Sequence, residues 1–312
     1  MPTKILASRF NTLKGRVDRI LGPCLETSSN NADFLFGYGE SLGSGVDQSS
    51  SNDTIDALAY KLLYMNIQKI RYHQVGTAAF TAEAYKVGDF INNASADKVE
   101  EAYITSLETL ATNMENDKFE IHSTQADLQI KGSSISASTW NGVLSHIFKV
   151  TFSSAQERRE FFNAGGKIRM QPQMTYTGSQ AKTLDWKGML NAIGPVNFAA
   201  QSTIAPSGVG QSYGGIGHDY MSGTYQRGYY NNGGSVYYPN EYTIYILELN
   251  TSELQFKCEF NDPSYGQPDE NVLASVVNTV TFITPNGTAQ IDGTQTTTVA
   301  KTVPTYTLIS DL

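Results

Sequence analysis

Cysteine is nearly missing from this chain: 312 residues contain two, Cys24 and Cys258, far apart and in segments of different character. Such a pair offers neither a disulfide framework nor zinc-ligand spacing, and each is most simply a small packing residue. Long apolar runs are missing too. None approaches the roughly 20 residues of a membrane-spanning helix. The opening MPTKILASRFNTLKGR lacks the continuous apolar core of a signal peptide, so the expectation is a chain made in the cytoplasm with no membrane partner. Sequons such as Asn93-Ala-Ser95 and Asn286-Gly-Thr288 then read as accidental, because an acceptor matters only in a glycosylating compartment. Basic charge is sparse and dispersed. With 22 Lys and Arg against 30 Asp and Glu, the net charge is -8, and no basic stripe is available to neutralise a run of phosphates, which excludes nucleic acid as an expected partner.

Chemistry-bearing patterns are equally thin. The four histidines, His73, His122, His146 and His218, are well separated and none stands at metal-ligand spacing from another or from a cysteine. Gly39-Glu40-Ser41-Leu42-Gly43 and Gly210-Gln211-Ser212-Tyr213-Gly214 fit Gly-x-Ser-x-Gly in letters, but both lie in Gly-rich loop-like stretches rather than at a strand-to-helix turn, and a Ser-His-Asp set could be chosen only arbitrarily. The reading therefore assigns no catalytic residue, no metal and no cofactor. Asp262, Asp269 and Glu270, in NDPSYGQPDEN, could offer oxygen ligands to calcium. Their spacing matches no calcium motif, and a solvated turn built on Asp-Pro and Gly is the plainer reading.

What the chain does have is glycine and tyrosine, 27 and 18 residues, a composition that suits a turn-rich α+β fold. Its length suits two domains, or one with a large appendage. Leu6, Phe10, Leu13, Val17 and Ile20 are spaced as one seam of a helix ending at Gly22-Pro23. A second helix is expected over about residues 53–73, capped by Asn52 or Asp53 and carrying Ile55, Leu58, Leu62 and Met65. A third is expected from Asp97 to Asn113, with Val99, Tyr103, Leu107 and Leu110 at helical spacing. From about Phe119 the period shortens to two: Phe148, Val150 and Phe152 alternate, as do Leu254, Phe256, Cys258 and Phe260. Pro172, inside the strand pattern 167–176, suggests an edge or a bulge. The expectation is a mainly helical region over 1–115 and a β-rich, antiparallel, sandwich-like body over 116–312.

Two stretches are unusual. In EFFNAGGKIR, residues 160–169, a helical run meets Gly165-Gly166 and a strand begins. Phosphate-cradling glycines follow a strand and open a helix, so the reversed order points to a structural corner: at least one of Phe161 and Phe162 buried as an anchor, and Gly165 or Gly166 at positive φ. Residues 208–238 interleave Gly and Tyr with few aliphatics and read as a long surface excursion. Tyr213, Tyr220, Tyr225, Tyr229 and Tyr230 would there form an adaptable contact surface for a sugar or a protein, or else pack on their own domain.

Several motifs together carry a resemblance. A short helix ending in LG, the loop GYGE before a Ser-rich stretch, a helix closing on RYHQVG, then RREFFNAGGKIR, KTLDWKGMLNAIGPVNF and finally DENV make the chain similar to a virion structural family of contractile-tailed bacteriophages, especially the T-even-like phages of cyanobacteria. The likeness covers most of the chain. Family members read GYGQ where this chain has Glu40. The resemblance implies a non-enzymatic part of the particle (neck, collar, tail or baseplate periphery), located in the virion and partnered by its own copies and other virion proteins. It transfers no catalytic residues. A second class stays open, an adhesin that binds a host surface glycan through the Tyr-rich loop. A third, an enzyme degrading surface polymer, lacks a carboxylate or nucleophile constellation.

Overall fold

The computed structural model describes residues 7–24, 37–42, 57–76, 101–215, 223–263, 268–290 and 296–312. The expected caps Asn52, Asp53 and Asp97, the helix positions Leu6, Ile55 and Val99, and Tyr220 and His218 lie outside these residues. The fold is α+β, with two antiparallel sheets of six strands each. The chain divides into two compact units, neither continuous in sequence: Met1–Asp127 with Asn163–Gly165 and Pro285–Lys301, and Leu128–Phe162 with Gly166–Thr284 and Thr302–Leu312. The helical unit thus runs past residue 115 and takes in two later segments.

In unit 1, α1 (Ala7–Leu21), α2 (Ala57–Val75) and α3 (Glu101–Asn116) pack on one another. The seam expected on α1 faces inward, with Phe10, Leu13, Val17 and Ile20 buried. It meets Leu63, Ile67 and Ile70 of α2 and Ile104, Leu107, Ala111 and Met114 of α3, and Ala164 and Val299 join the same cluster. Beside the core, Arg9 reaches Glu108 and Arg16 reaches Glu115 with two hydrogen bonds each, at 2.7 and 3.0 Å. These pairs are part-exposed, so each contributes about 0–1 kcal/mol and acts more on register than on stability.

Unit 2 holds the sandwich. One sheet has the order β1 (Ala126–Ile135), β10 (Val276–Gln290), β3 (Lys167–Met174), β4 (Val196–Phe198), β5 (Thr203–Ile204), with β11 (Thr296–Ala300) pairing the unit 1 end of β10. The other runs β12 (Thr305–Ser310), β2 (Gly142–Thr151), β9 (Glu253–Asp262), β8 (Glu241–Asn250), β7 (Gln226–Asn232), β6 (Gln211–Ser212). On β9 burial alternates without interruption from Leu254 to Asp262. Phe256 stacks on Phe148 across the β2–β9 pair, ring centroids 5.2 Å apart and 13° from parallel. Pro172 corrects its expectation: β3 is an interior strand, paired with β10 along its length, and with β4 only over Ile168–Met170. Past Met170 that side of the ladder is open, so the missing N–H of Pro172 costs nothing there.

At the corner, Ser154 caps α4 (Ala155–Asn163), its Oγ accepting from Glu157 N at 3.0 Å. Phe161 and Phe162 are both fully buried, edge to face at 84°, and each meets Phe152. Gly165 has φ 83°, and Gly166 N donates to Phe161 O at 2.9 Å, which closes the helix end and releases the chain into β3. A Cβ on Gly166 would lie 2.6 Å from Phe161 O, so the second glycine serves close approach rather than a left-handed backbone.

Candidate functional site

The side chains that sequence patterns single out converge on buried polar clusters. In unit 1 the segments GYGE, RYHQVG and NAG meet in one place. Gln74 Nε2 donates to Tyr38 Oη and to Met114 O, both at 3.0 Å, and Tyr38 Oη donates to Lys118 O at 2.9 Å. Arg71 Nη1 binds Asp117 Oδ2 at 2.6 Å and Gln74 Oε1 at 2.9 Å. His73 Nε2 lies 2.7 Å from Ala164 O. A carbonyl only accepts, so Nε2 carries the proton, and burial drives the ring toward neutrality, with its pKa pushed down to about 4. Asn163 Nδ2 donates to Gly37 O at 3.2 Å. The LG at the end of α1 takes part through its backbone, Leu21 O and Gly22 O accepting from Glu40 N and Gly39 N. Glu40, where the resemblance departs, has a partner of its own in Lys69 at 2.9 Å.

In unit 2, KTLDW and DENV form a second joint. Lys182 stands in the first turn of α5 (Ala181–Ile193), on the buried stripe it shares with Trp186, Leu190 and Ile193. Its Nζ lies 2.8 Å from Asp262 Oδ2, 3.0 Å from Asp269 O and 3.1 Å from Glu270 O, with Lys182 and Asp262 both wholly buried. The two carbonyls accept hydrogen bonds from Nζ, and the Asp262 carboxylate meets it as an ion pair. Leu273 N donates to Thr183 Oγ1 at 2.9 Å, and Gln180 Nε2 to Asn271 O at 3.0 Å. The solvated-turn reading fails at Asp262; Glu270 is exposed, and residues 264–267 of that stretch lie outside the described residues. Asp262 is a core residue, and an ammonium group fills the oxygen-lined position considered for calcium. Among the described residues, no group of three or more His, Cys, Asp or Glu is arranged to hold a metal ion.

Between the two sheets lies a third cluster. Asn278 Nδ2 lies 2.9 Å from His146 Nδ1, and His146 Nε2 lies 3.1 Å from Tyr306 Oη. Tyr242 Oη is 3.3 Å from Asn278 Oδ1, and Cys258 stands opposite His146 on β9. A cysteine, a histidine and an asparagine side by side resemble a nucleophilic set in residue type alone. Cys258 is fully buried and its thiol is pushed up to about 12 by that burial, while desolvation holds His146 down at about 4. A thiolate is not formed under such conditions, and the arrangement suits tying sheet to sheet.

The Tyr-rich stretch is not a free excursion. β6 and β7 are sheet strands within it, Tyr229 is fully buried with Oη donating to Val209 O at 2.8 Å, and Tyr237 is buried too. Tyr213 and Tyr225 are exposed, and Tyr230 is half-buried under the guanidinium of Arg227, 4.7 Å from the ring centroid. Lys257 reaches over Tyr245 and Tyr225 at 4.9 and 5.7 Å. A concavity of about 290 Å³ between α1 and α3 is walled by Thr12, Arg16, Thr105 and Glu108. Its charged groups are already committed to ion pairs, and it is shallow and open.

Comparison of the chain with known protein families, with characterised proteins and with solved structures finds no match.

Proposed function

We propose that the chain is a non-enzymatic structural component of a contractile-tailed phage particle, in the neck, collar, tail or baseplate periphery, acting through contacts with its own copies and other virion proteins. One observation carries this reading. The motifs behind the resemblance are the ones whose side chains close the joints: Tyr38, Arg71, His73, Gln74 and Asn163 in unit 1, Lys182 and Thr183 in unit 2. Reactive groups have to reach a substrate, whereas these are enclosed and spent on one another. Their use is to hold loops rigidly on a scaffold, as a part built into a larger assembly requires. Imaging intact particles at side-chain resolution tests this. The expected result is repeated copies of this fold around a symmetry axis. Particles lacking the chain would reject the reading.

A second reading, an adhesin for a host surface glycan, is favoured by the exposed rings Tyr213, beside Arg227, and Tyr225, beside Lys257. Aromatic faces flanked by donors suit sugar rings. Purified chain should then bind host envelope polysaccharide, and Tyr225→Ala should weaken that binding. An absence of binding rejects it.

A further inference from the structure

We infer that the flank of unit 2 formed by β1 and β12, each outermost in its sheet among the described residues, is where this chain meets a second copy of itself. The inference rests on the subunit-contact reading and adds to it a surface and a partner. The two flanks of the sandwich are unlike. On one, the outermost strands are β5 and β6, of two residues each, too short to template another strand. On the other they are β1, of ten residues, and β12, of six, each at the end of its sheet. Long edges of that kind are ordinarily guarded by charge, by proline or by a covering element. Thr305–Ser310 contains neither a charged residue nor a proline.

The two edges adjoin. Tyr306 of β12 lies against Gly132 of β1, where an added Cβ would come within 2.6 Å of the ring, and Leu312 N donates to Ser134 Oγ at 3.0 Å. Leu128, Ile130 and Ile135 on β1 and Leu308 and Ile309 on β12 are 47–75% exposed. The pairing of β12 with β2 shifts register between Leu308 and Ser310, so an incoming strand has Thr305–Leu308 to pair with and Ile309 to pack against.

Charge selects the occupant. A chain of net charge -8 repels its copy over most of its surface. β12 is uncharged, and β1 carries one acid, Asp127, and one base, Lys131, which reaches over the ring of Phe282 at 5.6 Å. The nearest other acid, Asp311, accepts a hydrogen bond from Ser134 Oγ. With two acids and one base per copy, Asp127, Asp311 and Lys131, the strip carries little of the chain's net charge, so two copies meet little like-charge repulsion through it. A two-fold axis beside β12 sets the strand antiparallel to its copy, with the same groups presented from both sides.

Sedimentation velocity of the purified full chain, from nanomolar to high micromolar concentration, tests this. The wild type should dimerise. Ile130→Lys, and separately the double variant Leu308→Lys with Ile309→Lys, should weaken the dimer by more than about tenfold. Leu249→Lys, at an exposed site on β8, should leave it intact, and unchanged tryptophan emission would show that unit 2 is folded. Should the charged variants not fold, Ile309→Cys supplies the second measurement: a bismaleimide that spans about five strand rises, roughly 17 Å, should trap a covalent dimer, because Cys24 and Cys258 are buried. A monomeric wild type, charged variants that dimerise normally, or no trapped dimer would overturn the inference. A chain present in particles yet monomeric by these measures loses only this inference; a chain absent from particles loses the structural reading itself.

Discussion

Asp262→Asn is the most informative single change, because it removes one charge from a pair that is wholly buried. Lys182 would keep its two carbonyl acceptors, Asp269 O and Glu270 O, but its positive charge would stand uncompensated beside Trp186 and Phe260. Breaking a buried pair from one side costs about 3–5 kcal/mol. At about 2–4 °C per kcal/mol for a unit of this size, melting should fall by roughly 6–20 °C. Lys182→Met should cost a similar amount, taking the ammonium from a buried carboxylate and the donor from two carbonyls. The double change to Met and Leu relieves the charge but leaves those two carbonyls unpaired, at about 1–3 kcal/mol each, so it should recover only part of the loss. Both tryptophans, Trp140 and Trp186, lie in unit 2, buried 5.1 Å apart. Thermal unfolding followed by tryptophan fluorescence therefore reports on this unit. Single variants melting within about 2 °C of the wild type would refute the claim that the pair is a structural staple.

Three further outcomes are expected. Phe256→Ala should cost about 3–5 kcal/mol, since the ring is fully buried against Phe148 and Phe198; near-wild-type melting would place the ring on the wrong face. Gly165→Ala should cost more than about 1 kcal/mol, because φ is 83° and the new Cβ would sit 2.7 Å from Ile121; an unchanged denaturation midpoint would show that the corner is not fixed. His73 and His146, held at about 4 in the folded chain, should make stability pH-dependent. Below about 6.5 the unfolded chain takes up protons that the folded chain refuses, so stability should fall from about pH 6.5 to about pH 4, and midpoints level across that window would rule out two neutral buried rings.

The helices, the alternating strands and the corner were legible because one residue type at one period implied each of them. The joints were harder to read, because they pair residues distant in sequence. Their signal was nonetheless present, as polar residues at apolar positions. Asp262 continues the inward alternation of Leu254, Phe256, Cys258 and Phe260. Lys182 occupies the helical stripe of Trp186, Leu190 and Ile193, and His146 and Asn278 interrupt inward rows on β2 and β10. A charge at a buried period needs a partner, and two such residues in one unit are candidates for each other. The Tyr-rich stretch misled for the opposite reason. Its composition resembled a loop, but the alternation that makes β7 a strand is carried by one buried Tyr229 and by pairing to β8, which composition does not register.

The interleaving of the two units in sequence bears on the order in which the chain can mature on the ribosome. The helical core is completed by Ala164 and by Val299, and β11 pairs with β10 only after residue 296 has emerged. The first three helices can cover most of that cluster among themselves, but its last members, Ala164 and Val299, arrive only when most of the polypeptide has been synthesised. A gene fragment ending near residue 127 would encode the helices without the later segments of their unit, so neither unit corresponds to one continuous stretch of the gene. Variation should instead accumulate in the surface segments, which can change without undoing either unit.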